Sequence, residues 1–184
     1  MMTRALRRVK LWRIVQILFW LVGLFILITL ILFPDLGMDL FWNVLIPLAP
    51  AIFAIALGFW RNVCPLGTTS LLPQRFGVSK KKTISIIWQG RLQLIGLILL
   101  FLLVPFRHVL LDTNAMATAI TIVSLSLIAF ASGFIYDWKS FWCSGICPVY
   151  PVEKLYGTNV GISMGNAQCS SCTRCVSPCT DSTP

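Results

Sequence analysis

Four long apolar segments constrain the fold of this chain more than any other feature. A helix that spans a bilayer needs about 20 apolar residues, because a hydrocarbon core of about 30 Å is crossed at 1.5 Å per residue. Segments of this kind run over about 14–33, 41–60, 88–106 and 115–136. The sequence therefore predicts an all-α integral membrane protein whose four transmembrane helices form two hairpin units.

Three of these segments allow more specific expectations. The first is predicted to be an anchor and not a signal peptide, because it is too long and no A-x-A cleavage site follows it. Pro47 and Pro50 predict a kink in the second. The third reaches full length if residues 88–91 form an interfacial end with Arg91 snorkelling.

The polar stretch 68–89 is expected to be a loop on the membrane surface.

The composition excludes several classes of protein. Of the 184 residues, 57% are hydrophobic and 11% are charged, whereas a soluble domain is about half apolar and about a quarter charged. Such a chain has too little polar surface to cover a water-soluble globule. A soluble enzyme, a disordered tail and a coiled coil are therefore excluded.

Membrane topology accounts for the net charge of +9, because the basic residues lie almost entirely on one side of the predicted spans. Short loops rich in Lys and Arg remain in the cytoplasm, so the chain is predicted to be a multi-pass protein of the cytoplasmic (inner) membrane with both termini inside. No nucleic-acid partner is needed, and Lys80–Lys82 is expected to contact lipid headgroups. Only Arg107 falls on the outer side, and the other fourteen basic residues are Arg4, Arg7, Arg8, Lys10, Arg13, Arg61, Arg75, Lys80, Lys81, Lys82, Arg91, Lys139, Lys154 and Arg174.

Seven cysteines all fall on the predicted cytoplasmic side. The cytosol keeps thiols reduced, so metal binding is favoured over a disulfide framework. None of them lies inside an apolar segment, and they are Cys64, Cys143, Cys147, Cys169, Cys172, Cys175 and Cys179.

The C-terminal four have the spacing C-x₂-C-x₂-C-x₃-C, from Cys169 to Cys179. Three thiolates at such short intervals let one loop wrap a corner of an iron–sulfur cubane. Zinc sites usually show two separated C-x₂-C pairs, so the pattern favours iron–sulfur over zinc. In the bacterial ferredoxin run a Pro follows the last Cys, whereas here Pro178 precedes Cys179, which leaves the role of Cys179 open.

Two Cys-Pro turns follow the second and fourth segments and form a weak internal repeat. The first reads Cys64-Pro65-Leu66-Gly67, and the second runs from Cys143 through Cys147-Pro148. Superposing the Cys-Pro pairs places Trp60 where the second copy has Cys143. The i, i+4 spacing of Cys143 and Cys147 predicts both thiols on one helical face, with a helix end at Pro148. A buried structural thiol remains the alternative for Cys64.

On these motifs the chain resembles the membrane-bound ferredoxin family typified by the NapH and NosR quinol-dehydrogenase proteins and the related CcoG group. The resemblance covers the chain from about Phe41 onward. It implies [4Fe–4S] clusters at the cytoplasmic face and electron transfer between the quinone pool and partner redox proteins, or a role in maturing terminal oxidases and reductases. The chain departs from the family pattern at Trp60 and in having a single cysteine triple in its tail.

The cysteine count limits the number of clusters. Two fully thiolate-ligated cubanes need eight cysteines, and seven are present. The simplest solution is one cluster on Cys169, Cys172 and Cys175 with a fourth thiolate from Cys179, Cys147 or Cys64. The alternative adds a second, incompletely ligated cluster on the remaining cysteines. The predicted domains are a four-helix transmembrane domain over 1–142 and a cytoplasmic cluster-binding tail over 143–184.

Other side chains give weaker indications. His108 could contact a quinone, although an ordinary interfacial residue is the simpler interpretation, and Trp138 and Trp142 could line a quinone slot. No nucleotide-binding, metalloprotease or serine-hydrolase motif is present.

The expected function is that of an electron-transfer component of a quinol-dehydrogenase type. Such a component needs a partner redox protein or respiratory subunits and is not a self-contained enzyme. The alternatives are a redox assembly or regulatory factor and a zinc-stapled membrane scaffold.

Overall fold

The computed structural model describes residues 2–156 and Ile162, with side chains from Lys10 onward, and this part of the chain is all-helical. Three short π-helical stretches interrupt or extend the α-helices, and we name them π1 (Asp39–Leu45), π2 (Arg107–Leu111) and π3 (Lys139–Ile146). The α-helices are α1 (Met2–Leu32), α2 (Pro34–Met38), α3 (Ile46–Val63), α4 (Pro65–Arg75), α5 (Ile86–Phe106), α6 (Ala115–Ile135) and α7 (Tyr150–Tyr156).

The prediction of four helices long and apolar enough to span a membrane is confirmed. Within the described residues these runs are Lys10–Leu32, Pro34–Arg75, Ile86–Leu111 and Ala115–Ile135. The short third segment reaches 26 residues because α5 begins at Ile86 and π2 continues it. The chain is therefore consistent with a multi-pass membrane protein.

Two tight reversals set the topology. The chain turns back at Phe33 between α1 and α2, and again between π2 and α6, where the Asn114 side chain accepts a hydrogen bond from the Ala117 N–H at 3.1 Å. Such an N-cap satisfies an amide that the first helical turn leaves open. The end of α3, helix α4, the start of α5 and the end of α6 consequently share one end of the bundle, which we call the cysteine end.

The second span is irregular, as its prolines predict, but its break lies further along. Pro47 occupies the first turn of α3, where a missing N–H costs little. The backbone departs from helical geometry at Ala56 (φ −149°, ψ 71°), beyond Pro50. A break there releases carbonyl groups from the helix, and the Ile55 oxygen accepts a hydrogen bond from the Ile162 N–H at 2.8 Å.

The two polar side chains of the first apolar segment, 14–33, face the protein interior. Gln16 is 3% exposed and accepts a hydrogen bond from Arg75. Thr29 is also buried, and its hydroxyl donates to the Ile26 carbonyl at 2.8 Å. Ile26 and Leu30 form the apolar core there with Ala119 of α6. Polar groups placed in this way avoid the cost of facing lipid.

Part of the expected surface loop is helical. Residues 65–75 form α4, which packs across α6 where Gly133 allows the Ser70 carbonyl oxygen to approach closely. The Trp20 Nε1–H of α1 also donates to the Thr69 hydroxyl at 3.1 Å. The loop prediction was therefore wrong for this stretch, because packing against α1 and α6 stabilises a helix that local polarity does not indicate.

Candidate functional site

A small pocket at the cysteine end brings the two Cys-Pro turns together. Its volume is about 30 Å³, which is room for water-sized occupants. It lies between the α3–α4 junction on one side and π3 with α7 on the other. Its lining residues are Trp60, Arg61, Cys64, Trp138, Lys139, Trp142, Cys143, Cys147, Val149 and Glu153.

The two Cys-Pro turns have the same local backbone. Cys64 adopts φ −51°, ψ 120° and Cys147 adopts φ −61°, ψ 120°. A following proline disfavours the α region for the residue before it, so each helix ends at its cysteine. The Cys64 N–H still donates to the Trp60 carbonyl at 2.9 Å, and the Cys147 N–H donates to the Trp142 carbonyl at 3.1 Å. This geometry fits the internal repeat that the sequence indicates.

Gly67 lies beside two of the thiols. A Cβ at this position would lie 3.7 Å from the Cys143 sulfur and 3.9 Å from the Cys64 sulfur. The two sulfurs therefore flank the same small space, although Cys64 lies between α3 and α4 and Cys143 lies in π3. Cys147, which is buried, completes the set of three described cysteines in the pocket.

Helix α5 supports the second turn from behind. A Cβ at Gly96 would lie 3.0 Å from the Ile146 carbonyl oxygen and 3.2 Å from that of Cys147. The Gln93 side-chain amide donates to the Ser144 carbonyl at 2.9 Å. Close backbone approach and this hydrogen bond hold π3 against α5. Cys143 lies within π3 and Cys147 directly after it, and both thiols line the pocket as the spacing predicts.

Charged side chains around the thiols were not identified from the sequence. Arg61 of α3 forms an ion pair with Glu153 of α7, and both side chains are largely buried. Lys139 is 3% exposed, with its ammonium nitrogen 5.5 Å from the centre of the Trp138 ring. Two sequence features could have identified these charged residues. They lie close to the Cys-Pro motifs, and Glu153 is the only glutamate in the sequence.

Burial controls the ionisation of the Cys147 thiol. Loss of hydration raises its pKa to about 12, with the neighbouring Cys64 as a second cause. At neutral pH the thiol is therefore protonated. A thiolate ligand needs the proton to leave, so metal binding at this residue would release a proton and would tighten as the pH rises.

The described donor set does not by itself form a metal centre. Over residues 2–156, no group of three or more His, Cys, Asp or Glu side chains is close enough to hold one metal ion. A cubane takes four thiolates, and three of the described cysteines line the pocket. Cys169, Cys172, Cys175 and Cys179 lie outside the described residues, so their grouping and the fourth ligand remain predictions.

The residues considered for quinone contact lie apart. His108 is exposed in π2, at the end of the bundle opposite the cysteines. Trp138 and Trp142 are buried and line the pocket. A single quinone site therefore cannot use both His108 and the two tryptophans, and each assignment stays a prediction.

Comparisons with known proteins identify no relative: no protein family, curated protein or solved structure matches the chain. The resemblance to membrane-bound ferredoxins therefore rests on the cysteine motifs themselves.

Proposed function

We propose that this protein is a membrane-bound electron-transfer protein that carries a [4Fe–4S] cluster at the cytoplasmic face and passes electrons between the quinone pool and a partner redox protein. A cluster of this kind supplies a one-electron carrier. The chain anchors the cluster at the membrane, provides its thiolate ligands and sets its reduction potential through the charges around it.

One observation carries the proposal further than any other. Cys64 lies at the junction of α3 and α4 and Cys143 lies in π3, yet Gly67 lies beside both sulfurs. Cys147 lines the same pocket. Arg61, Lys139 and Glu153 line the pocket with them, so the set is not a purely apolar cluster. Burial raises the pKa of Cys147, and a thiolate would form there when a metal displaces the proton.

The ligand arrangement that we propose uses the tail and the pocket together. Cys169, Cys172 and Cys175 provide the closely spaced triple, and one of Cys179, Cys147 or Cys64 provides the fourth thiolate. The pocket in the described chain is water-sized, which is too small to enclose a cubane. As an alternative, the pocket thiols that do not bind this cluster would bind a second, incompletely ligated cluster.

The experiment that tests this function is quinol-driven reduction of the purified protein. Full-length protein is purified anaerobically in detergent and mixed with a reduced short-chain quinol, and the cluster is followed by its visible absorption and by EPR. We expect reduction of the cluster on mixing. A cluster that dithionite reduces but quinol does not would contradict exchange with the quinone pool and would favour the assembly or regulatory role.

A matched pair of tail variants tests the ligand assignment. Cys172→Ala removes the central thiolate of the triple, so we expect it to abolish cluster binding. Ser171→Ala changes the neighbouring residue in the same loop and should leave the iron and sulfide contents unchanged. Unchanged iron in Cys172→Ala would refute the assignment of the triple, and equal loss in both variants would indicate a folding defect of the loop.

A further inference from the structure

The second helical run is too long to cross a bilayer once in a straight line. It extends over 42 residues, from Pro34 to Arg75, whereas about 20 residues are enough to span the hydrocarbon core. Its backbone leaves helical geometry at Ala56 and again at Cys64. The contacts on either side of these breaks show the direction in which each part of the run continues.

The second half of α3 approaches the first turns of α1. The centre of the Phe59 ring lies 6.1 Å from that of Trp12 and 5.6 Å from that of Phe19. The apolar segment of α1 begins at Ile14. These contacts therefore place Phe59 close to the edge of the apolar layer, which is the level of the bundle that the four apolar segments occupy.

The first Cys-Pro turn lies deeper in the apolar layer than Phe59. A Cβ at Gly23 would lie 3.3 Å from the Pro65 side chain, and Gly23 is about 14 Å along α1 from the start of its apolar segment, at 1.5 Å per residue. Helix α4 then runs back along α1 as far as Arg75, which donates a hydrogen bond to Gln16. The chain thus enters the layer and leaves it on the same side, as a re-entrant segment does.

The second Cys-Pro turn enters the apolar layer beside α5. Before π3, the Asp137 N–H donates to the Lys82 carbonyl at 2.9 Å, shortly before α5 begins. After π3, a Cβ at Gly96 would lie 3.2 Å from the Cys147 carbonyl oxygen. Gly96 is about 15 Å along the span that begins at Ile86. The chain therefore advances into the layer between Asp137 and Cys147.

The polar groups of these turns are covered by protein or paired. Gly67, Cys147 and Pro148 are buried, and Arg61 forms its ion pair with Glu153 beside them. Non-helical backbone is tolerated at membrane depth only where protein covers it, and ionisable side chains there pair with one another. The surroundings of the pocket meet both conditions.

We infer that both Cys-Pro turns are re-entrant and hold Cys64, Cys143 and Cys147 inside the membrane, and not in the aqueous phase beyond it. This geometry does not depend on a bound cluster. A molecule dissolved in the bilayer reaches the level of these thiols without entering water, so the partner that the pocket fits is a lipid-soluble one. The quinol of the proposed function belongs to this class, and that last step rests on the proposed function.

Depth-dependent fluorescence quenching tests the inference. A fluorescent unnatural amino acid replaces Leu66, which is half-buried and follows the first Cys-Pro turn directly. The full-length protein is reconstituted into lipid vesicles with iodide on both sides or with lipids that carry a nitroxide midway along the acyl chain. We expect the ratio of nitroxide to iodide quenching to be at least about fivefold higher than for a probe at Ser85, because a small anion does not enter hydrocarbon.

Matched probe positions calibrate the measurement. Ser85 is exposed directly before α5 and gives the value for the aqueous edge, whereas Val22 is exposed next to Gly23 and gives the value for that depth. A probe at Val149, which is half-buried after the second turn, reports on that turn. It also decides the question if the Leu66 variant does not fold.

The outcomes separate this inference from the proposed function. Probes at Leu66 and Val149 that match the Val22 probe support the inference. A turn probe that matches the Ser85 probe, or that the acyl-chain nitroxide does not quench, overturns it, because nitroxide quenching extends beyond direct contact and reaches buried probes. Iron and sulfide contents and quinol-driven reduction are measured separately, so protein without a cluster would overturn the proposed function and leave the depth of the turns unaffected.

Discussion

Arg61 and Glu153 join two helices that are far apart in the sequence. Arg61 lies near the end of α3 and Glu153 lies in α7, 92 residues later. Their side chains are 18% and 11% exposed. An ion pair with so little exposure is sensitive to loss of one partner, because the remaining charge keeps its desolvation cost without its compensation. The pair therefore fixes α7, and with it the Cys147 turn, against the Cys64 turn.

Replacing Arg61 by Gln should destabilise the protein by about 3 kcal/mol, because the Glu153 carboxylate loses its cation in a largely buried position. Thermal or denaturant unfolding in detergent measures the change. Lys154→Gln is the matched control, since it removes an exposed neighbouring cation and should change stability by less than about 0.5 kcal/mol. Equal effects of the two substitutions would show that the ion pair does not hold α7.

Three of the cysteines singled out from the sequence line one pocket, whereas the charged residues around them were not singled out. Cysteine spacing is a property of the amino-acid sequence, so it can be identified without a structure. Arg61 and Lys139 stand next to predicted spans, where basic residues ordinarily indicate topology. Their position beside the thiols arises only when α7 packs on α3 and π3 packs on α5, which no local pattern encodes.

At the scale of elements, apolar length predicts the spans but not the details between them. All four spans were expected, since each needs only a long run of apolar residues. Helix α4 was not, because its residues are mixed in polarity and it is stabilised by α1 and α6. The break at Ala56 was not placed either. Prolines predict that a helix is disturbed, whereas tertiary contacts decide where the disturbance is relieved.

The crossing of α4 over α6 gives a prediction on packing. Gly133→Ala should destabilise the protein by about 1–3 kcal/mol, because the new Cβ would collide with the backbone carbonyl of Ser70. Gly90→Ala in α5 is the matched control, since nothing lies within 4 Å of its Cβ position, and it should be neutral or stabilising by about 0.5 kcal/mol. Unfolding midpoints in detergent test the difference. A Gly133→Ala variant as stable as Gly90→Ala would contradict the close crossing.

At the scale of the whole molecule, the fold has two distinct ends. The reversals at Phe33 and at residues 112–114 lie at one end. The described cysteines, α4 and the basic segment Lys80–Lys82 lie at the other. The Lys80 N–H donates to the Phe134 carbonyl at 2.8 Å, which fixes this basic segment at the end of α6. The distribution of Lys and Arg predicts that the cysteine end faces the cytoplasm.

Reporter fusions test this orientation. A reporter that is active only in the cytoplasm should be active when fused after Pro184 and inactive when inserted between Asp112 and Asn114. A reporter that is active only outside the cytoplasm should give the opposite pattern, which provides the control for expression. Activity of the second reporter after Pro184 would place the cysteines on the oxidising side and would remove the argument for reduced thiolate ligands.

The central claim is that the cysteines bind an iron–sulfur cluster, and the most direct measurement is metal and sulfide analysis of anaerobically purified full-length protein, combined with EPR before and after reduction. We expect coloured protein that contains iron and acid-labile sulfide and gives an EPR signal when reduced. Colourless protein that contains one zinc and no acid-labile sulfide would contradict the account and leave a zinc-stapled membrane scaffold.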